Sequence, residues 1–120
     1  HFPDSHLQGF PLDDLPTQDL NFSNLIVINA TSLGLQPKDP PPIDLSFHKL
    51  GSETRVFDMI YNPPQTALLK DAEAGGMNGS NGLSMLVFQA LRSLEIWSGR
   101  EVSAEAMFEG AKKGMREIAL

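Results

Sequence analysis

Two apolar runs, Leu25-Ile26-Val27-Ile28 and Val56-Phe57-Asp58-Met59-Ile60-Tyr61, the second interrupted only by Asp58, constrain this chain more than any other feature in it. Runs without polar alternation suit strands covered on both faces, and such strands belong to parallel sheets. Roughly two dozen residues separate them, which leaves room for the crossover that parallel neighbours require. The first run ends in Asn29-Ala30-Thr31-Ser32 and the second in Asn62-Pro63-Pro64-Gln65. The expected class is therefore α/β, with two or three parallel strands and about four helices.

Helices are read from caps and periodicity. Gln36 to Pro42 contains four prolines, whose fixed φ and missing N–H groups exclude regular helix, so any crossover helix is confined to 43–50. Thr66 is a good N-cap for a short helix over Ala67 to Ala74, stopped by Gly75-Gly76. From Gly82 to Trp97, Leu83, Leu86, Val87, Ala90, Leu91 and Leu94 form one stripe, while Met85, Phe88 and Ile96 put apolar groups on other faces. A helix apolar nearly all round calls for a second layer, domain or subunit to cover it. The last helix, 104–118, is capped by Ser103, with Ala104, Met107, Phe108, Ala111 and Met115 as its buried stripe. Residues 1–24, dotted with prolines, read as loop with at most one helical turn.

Composition then removes whole classes of function. At 120 residues the chain suits one domain, and nine Lys+Arg against fifteen Asp+Glu give a net charge of -6, the wrong sign for a nucleic-acid partner. The absence of cysteine excludes disulfides, thiolate metal sites and a Cys nucleophile, and fits a cytoplasmic location. His1, His6 and His48 have no metal-ligand spacing, so no metal site is expected. No apolar stretch approaches the ~18 residues of a membrane span. The start has no signal-like segment and no initiator Met, so the sequence reads as an excised piece. Three Asn-x-Ser/Thr matches carry no meaning without a secretory signal.

Candidate site residues cluster where strands end. Ligands of open α/β sheets bind beyond the carboxyl ends of strands, where Asn29, Ala30, Thr31 and Ser32 sit, although Asx and Ser/Thr turns tying off the strand explain the same residues equally well. Tyr61 lies on the same rim, with packing as the competing reading. Asp58 inside an apolar strand needs hydrogen-bond partners and reads as a structural brace. Gln89, an amide in an apolar helix, projects from the face that carries Gly82, seven residues earlier. Gly82 itself, without a Cβ, would let a flat ligand approach the backbone. Residues 74–82 nearly match G-x-G-x-x-G, but they follow a helix rather than a strand, and the dinucleotide fingerprint is rejected.

Taken together, Leu25 to Leu35, Val56 to Thr66 with Leu68-Leu69, and Gly82 to Gln89 followed by Trp97-Ser98-Gly99 resemble the shikimate dehydrogenase family in order and spacing. The resemblance implies the C-terminal half of a Rossmann-like, NADP-binding domain with its terminal helix, spanning 1–120 and lacking the N-terminal substrate domain. It implies reversible reduction of 3-dehydroshikimate to shikimate, a step of aromatic amino acid biosynthesis. By that resemblance Asn29, Ala30, Thr31 and Ser32 line the cofactor, Met59 and Gly82 lie beside the nicotinamide, and Met85 packs near it. Tyr61 and Gln89 hydrogen-bond the substrate. The Lys and Asp that handle the proton belong to the absent domain, so no catalytic residue is assigned and the piece alone is expected inactive. Asn81 stands where the family often has Asp, and the glycine-rich character of 75–82 speaks against a regular strand there. An NAD-dependent quinate/shikimate dehydrogenase shares every residue quoted. From a different class, a non-catalytic module would pair two copies into a homodimer through the helix at 82–97.

Overall fold

The computed structural model describes residues 8–11, 24–45 and 50–118, with side chains through Arg116. Its elements, in chain order, are β1 (Ile26–Asn29), β2 (Arg55–Asp58), α1 (Ala67–Ala74), β3 (Asn78–Asn81), α2 (Leu83–Ser98) and α3 (Ala104–Ile118). The three strands form one parallel sheet in the order β1-β2-β3. Asn29 pairs with Asp58 and Asp58 with Asn81, so all three strands finish on one edge.

The pleat decides what each strand buries. Val27, Val56 and Gly79 stand in register and form the row turned toward α1. There Leu45, Val56, Leu68, Leu69, Ala72 and Met77 make the core, with Val27, Ile43 and Leu50 packed on it. The helix lies so close to β3 that a Cβ on Gly79 would come within 3.0 Å of Leu69 Cδ2. That spacing is why β3 carries a glycine in its core-facing row. The alternate row, which includes Ile26 and Ile28, faces away from this core, and those two residues remain 56% and 59% exposed.

Helix α1 starts and stops as its sequence dictates. Thr66 has extended backbone and its hydroxyl accepts from the Leu69 N–H, while the Gly75 N–H closes the last turn on the Asp71 carbonyl. The same hydroxyl donates to Asp58 Oδ2 at 2.6 Å. Thr66→Ala removes both bonds and is expected to lower stability by about 2 kcal/mol in urea titration. Thr66→Ser should recover most of that, and an unchanged midpoint for the alanine variant would show that the cap contributes nothing.

Several expectations are corrected. Three helices are found among the described residues, and of the crossover helix placed in 43–50, residues 46–49 lie outside the description. The helical turn suggested for 1–24 also falls almost wholly outside it. β2 stops at Asp58 rather than Tyr61, because the Asp58 carboxylate takes the Ile60 N–H and turns the chain out of the ladder. β1 is covered on one face only. Residues 78–81 form a regular strand despite their polar, glycine-containing sequence, since the β2 ladder supplies the pairing that side chains do not. In α2 only Val87 is buried, and the α3 stripe is half-buried, the two helices meeting through the edge-on contact of Phe88 and Phe108 at 5.5 Å.

Candidate functional site

The site is built on the carboxyl edge of the sheet, where three chain segments leave their strands side by side. After β1, the Asn29 side chain folds back on its own loop. Its Oδ1 accepts from the Thr31 N–H at 3.0 Å and from the Thr31 hydroxyl at 2.8 Å, and Thr31 Oγ1 in turn accepts from the Leu33 N–H at 3.1 Å. These are the Asx and Ser/Thr turns expected of such a sequence. Asn29 Nδ2 donates to the Leu33 carbonyl and to Asp58 Oδ1, each at 3.0 Å, so every hydrogen-bonding position of this buried amide is taken. Gly34 follows at φ +110, wedged against Ile60 and Thr66, and the Gly34 and Gln36 N–H groups both donate to Asp39 Oδ2.

After β2 the chain runs over the top of the sheet. The Met59 N–H donates to the Asn29 carbonyl and the Ile60 N–H to Asp58 Oδ1. The Ile60 carbonyl accepts from the Gly82 N–H at 3.1 Å. Farther on, Asn81 Nδ2 donates to the Pro64 carbonyl at 2.9 Å, and Asn81 Oδ1 accepts from the Leu83 N–H at the start of α2. An amide can make both bonds, whereas an ionised aspartate at this position has no donor for Pro64.

Between the first two segments lies a cleft of about 480 Å³ lined by Ala30, Thr31, Leu35, Met59, Ile60, Tyr61 and Asn62. Met59 and Tyr61 are each 39% exposed, so both offer surface to a ligand. Tyr61 is the one titratable side chain in the lining, and the rest is apolar side chain, hydroxyl, amide and backbone. Such a wall can seat a flat, largely neutral ring and bond it at a few points. Of the residues singled out in the sequence, Ala30, Thr31, Met59 and Tyr61 are brought together here.

The other singled-out residues lie elsewhere. Asn29 is buried and shapes the loop. Ser32 is exposed beside it, and Met85 is half-buried in α2. Gln89 is exposed two turns into α2, where its carbonyl accepts from Ser93 Oγ. Gly82 is buried, and a Cβ there would collide with the Met59 carbonyl, so its missing side chain lets neighbouring backbone come close. Leu35 and Asn62 line the cleft without having been foreseen, and Thr66, Asn81 and Asp39 hold its walls. Asn62 directly follows Tyr61 and was findable, whereas nothing in the Pro-rich stretch marks Asp39 as a loop anchor. Among the described residues no group of three potential metal ligands occurs, and no helix is long and apolar enough to cross a membrane.

The family described as Shikimate 5'-dehydrogenase C-terminal domain matches residues 82–107. A shikimate dehydrogenase (NADP(+)) from Methanopyrus kandleri is 33% identical over 91 residues, covering 76% of this chain and 31% of that protein. Among solved structures, a shikimate dehydrogenase in complex with NADP+ superposes with a TM-score of 0.69 at 33% identity, covering 76% of this chain and 32% of that one. A ligand-free 5-ketofructose reductase of Gluconobacter sp. strain CHM43 superposes with a TM-score of 0.66 at 43% identity, covering 78% of this chain and 34% of that one. The chain thus spans about a third of the length of such relatives.

Proposed function

We propose that this chain, which belongs to the shikimate dehydrogenase family, forms the nicotinamide-facing wall of an NADP-dependent enzyme that interconverts 3-dehydroshikimate and shikimate. The observation that carries the reading is the cleft beyond the ends of adjacent parallel strands, where Thr31, Met59 and Tyr61 face one gap. That is where open α/β sheets place their ligands. NADP, when bound, supplies or accepts the hydride.

In this reading the chain's own residues bind and orient. Ala30, Thr31 and Ser32 offer backbone and hydroxyl groups on a loop fixed by Asn29, while Met59 and Leu35 present apolar surface to the ring and keep water from it. Tyr61 holds the substrate through its hydroxyl, and Gln89 approaches a substrate hydroxyl from α2. Gly82 and Met85 act from behind, Gly82 by letting the Met59 backbone sit close to the start of α2. A second domain closes the cleft and brings the proton-handling Lys and Asp, because hydride transfer requires both reactants near contact distance.

Adding NADP+ to the labelled chain is expected to shift the amide resonances of Thr31, Met59 and Tyr61, and shikimate added afterwards those of Tyr61 and Gln89. Shifts confined to other surfaces would remove the reading. In turnover measurements with the substrate domain present, Tyr61→Phe and Gln89→Ala should each weaken shikimate binding by roughly 1–3 kcal/mol, seen as a raised KM. Unchanged constants would refute the two contacts.

The 43% identity to a 5-ketofructose reductase favours a second reading, in which the carbonyl belongs to another polyhydroxy ketone. Parallel assays with 3-dehydroshikimate and 5-ketofructose separate the two, the first reading requiring the higher kcat/KM for 3-dehydroshikimate.

A further inference from the structure

Asp58 is fully buried, at 0% exposure, yet it is no part of the cleft lining. Its Oδ1 receives Asn29 Nδ2 at 3.0 Å and the Ile60 N–H at 3.1 Å, and its Oδ2 receives the Thr66 hydroxyl at 2.6 Å. The first bond leads, through the Asn29 amide, to Thr31 on one wall of the cleft. The second fixes the turn that carries Met59, Ile60 and Tyr61 on the other wall. One oxygen atom therefore references both walls, and the other ties it to the N-terminus of α1.

We infer that Asp58 is a positioning residue, which sets the spacing between the Thr31 wall and the Tyr61 wall and thereby the affinity of the cleft for its ligands; as a statement about NADP this rests on the function proposed above. A buried oxygen holding two donors from different segments fixes their separation, because moving either one leaves a buried donor without a partner. The role follows from Oδ1 alone. An amide that keeps an oxygen in that place should serve, with its nitrogen donating to Thr66 Oγ1.

The test compares Asp58→Ala, Asp58→Asn and Ala72→Gly. The last thins the buried side of α1, away from the hydrogen-bond network, and controls for lost stability. Asp58→Ala is expected to lose at least ~10-fold in amide exchange protection at Thr31 and Ile60 relative to Met77, and ~10-fold in NADP+ affinity. Asp58→Asn should restore both to within about threefold, while Ala72→Gly lowers the melting temperature without separating Thr31 and Ile60 from Met77. If Asp58→Ala does not fold, Asn29→Ala cuts one arm: Thr31 should lose protection and Ile60 keep it. Retained protection at Thr31 in that variant, failure of Asp58→Asn to restore, or equal loss of NADP+ binding in Ala72→Gly would each overturn the assignment. A wild-type chain that binds no NADP+ counts against the proposed function alone, since the exchange measurements still decide the role of Asp58.

Discussion

Gly82→Ala is expected to destabilise the fold by roughly 3 kcal/mol or more, at the upper end of what overpacking costs. The added Cβ would collide with the carbonyl oxygen and carbon of Met59, and backbone cannot rotate aside as a side chain can. Either the start of α2 lifts from the sheet edge or the Met59–Tyr61 turn shifts, and the Gly82 N–H to Ile60 carbonyl bond goes in both cases. Gly110→Ala supplies the opposite sign. It lies inside α3 with nothing within 4 Å of the new Cβ, so alanine should stabilise by about 0.5–1 kcal/mol through a less flexible unfolded chain. Urea midpoints of the two variants should therefore move apart. If both moved upward, Gly82 would not be where α2 meets the sheet.

The same glycine shows where the sequence stops being informative. That position 82 opens a helix was readable from the stripe that follows it, and its place near the cleft only from the family resemblance. What fills the space beside it was not, because a missing Cβ says only that something comes close and not whether it is ligand or backbone. β3 went unread for a related reason. Asn78-Gly79-Ser80-Asn81 has no apolar residue to announce a strand, its core-facing position being a glycine under Leu69 and its pairing coming wholly from β2. Thr66 and Ser103 were legible as caps because capping is local: each accepts from an N–H three residues on. Asp58 was legible as a brace by its oddity in an apolar run, and its bond from the Ile60 N–H is local, but its partners at 29 and 66 belong to other segments that only the fold brings beside it.

Leu68 and Ile28 carry this distinction into a measurement, since in the sequence both are aliphatic residues of apolar runs. Leu68 is 1% exposed, packs in the core from the inner face of α1, and also lines a cavity of about 140 Å³ with Val27, Ile28, Asn29, Thr31, Pro42 and Ile43. Leu68→Ala enlarges an existing void in a core of few residues, so relaxation can recover little, and a loss of about 2–5 kcal/mol is expected. Because that cavity reaches Thr31, the variant should also weaken amide protection at Thr31 before it affects Met77. Ile28 is 59% exposed on the face of β1 turned away from α1, and Ile28→Ala in this chain should change stability by no more than about 0.5 kcal/mol. Denaturant titration of the pair therefore reads how many faces of β1 are covered. A large loss from Ile28→Ala would mean that the outer face of the sheet is packed after all, whereas the expected contrast places the core of the described residues on the α1 side.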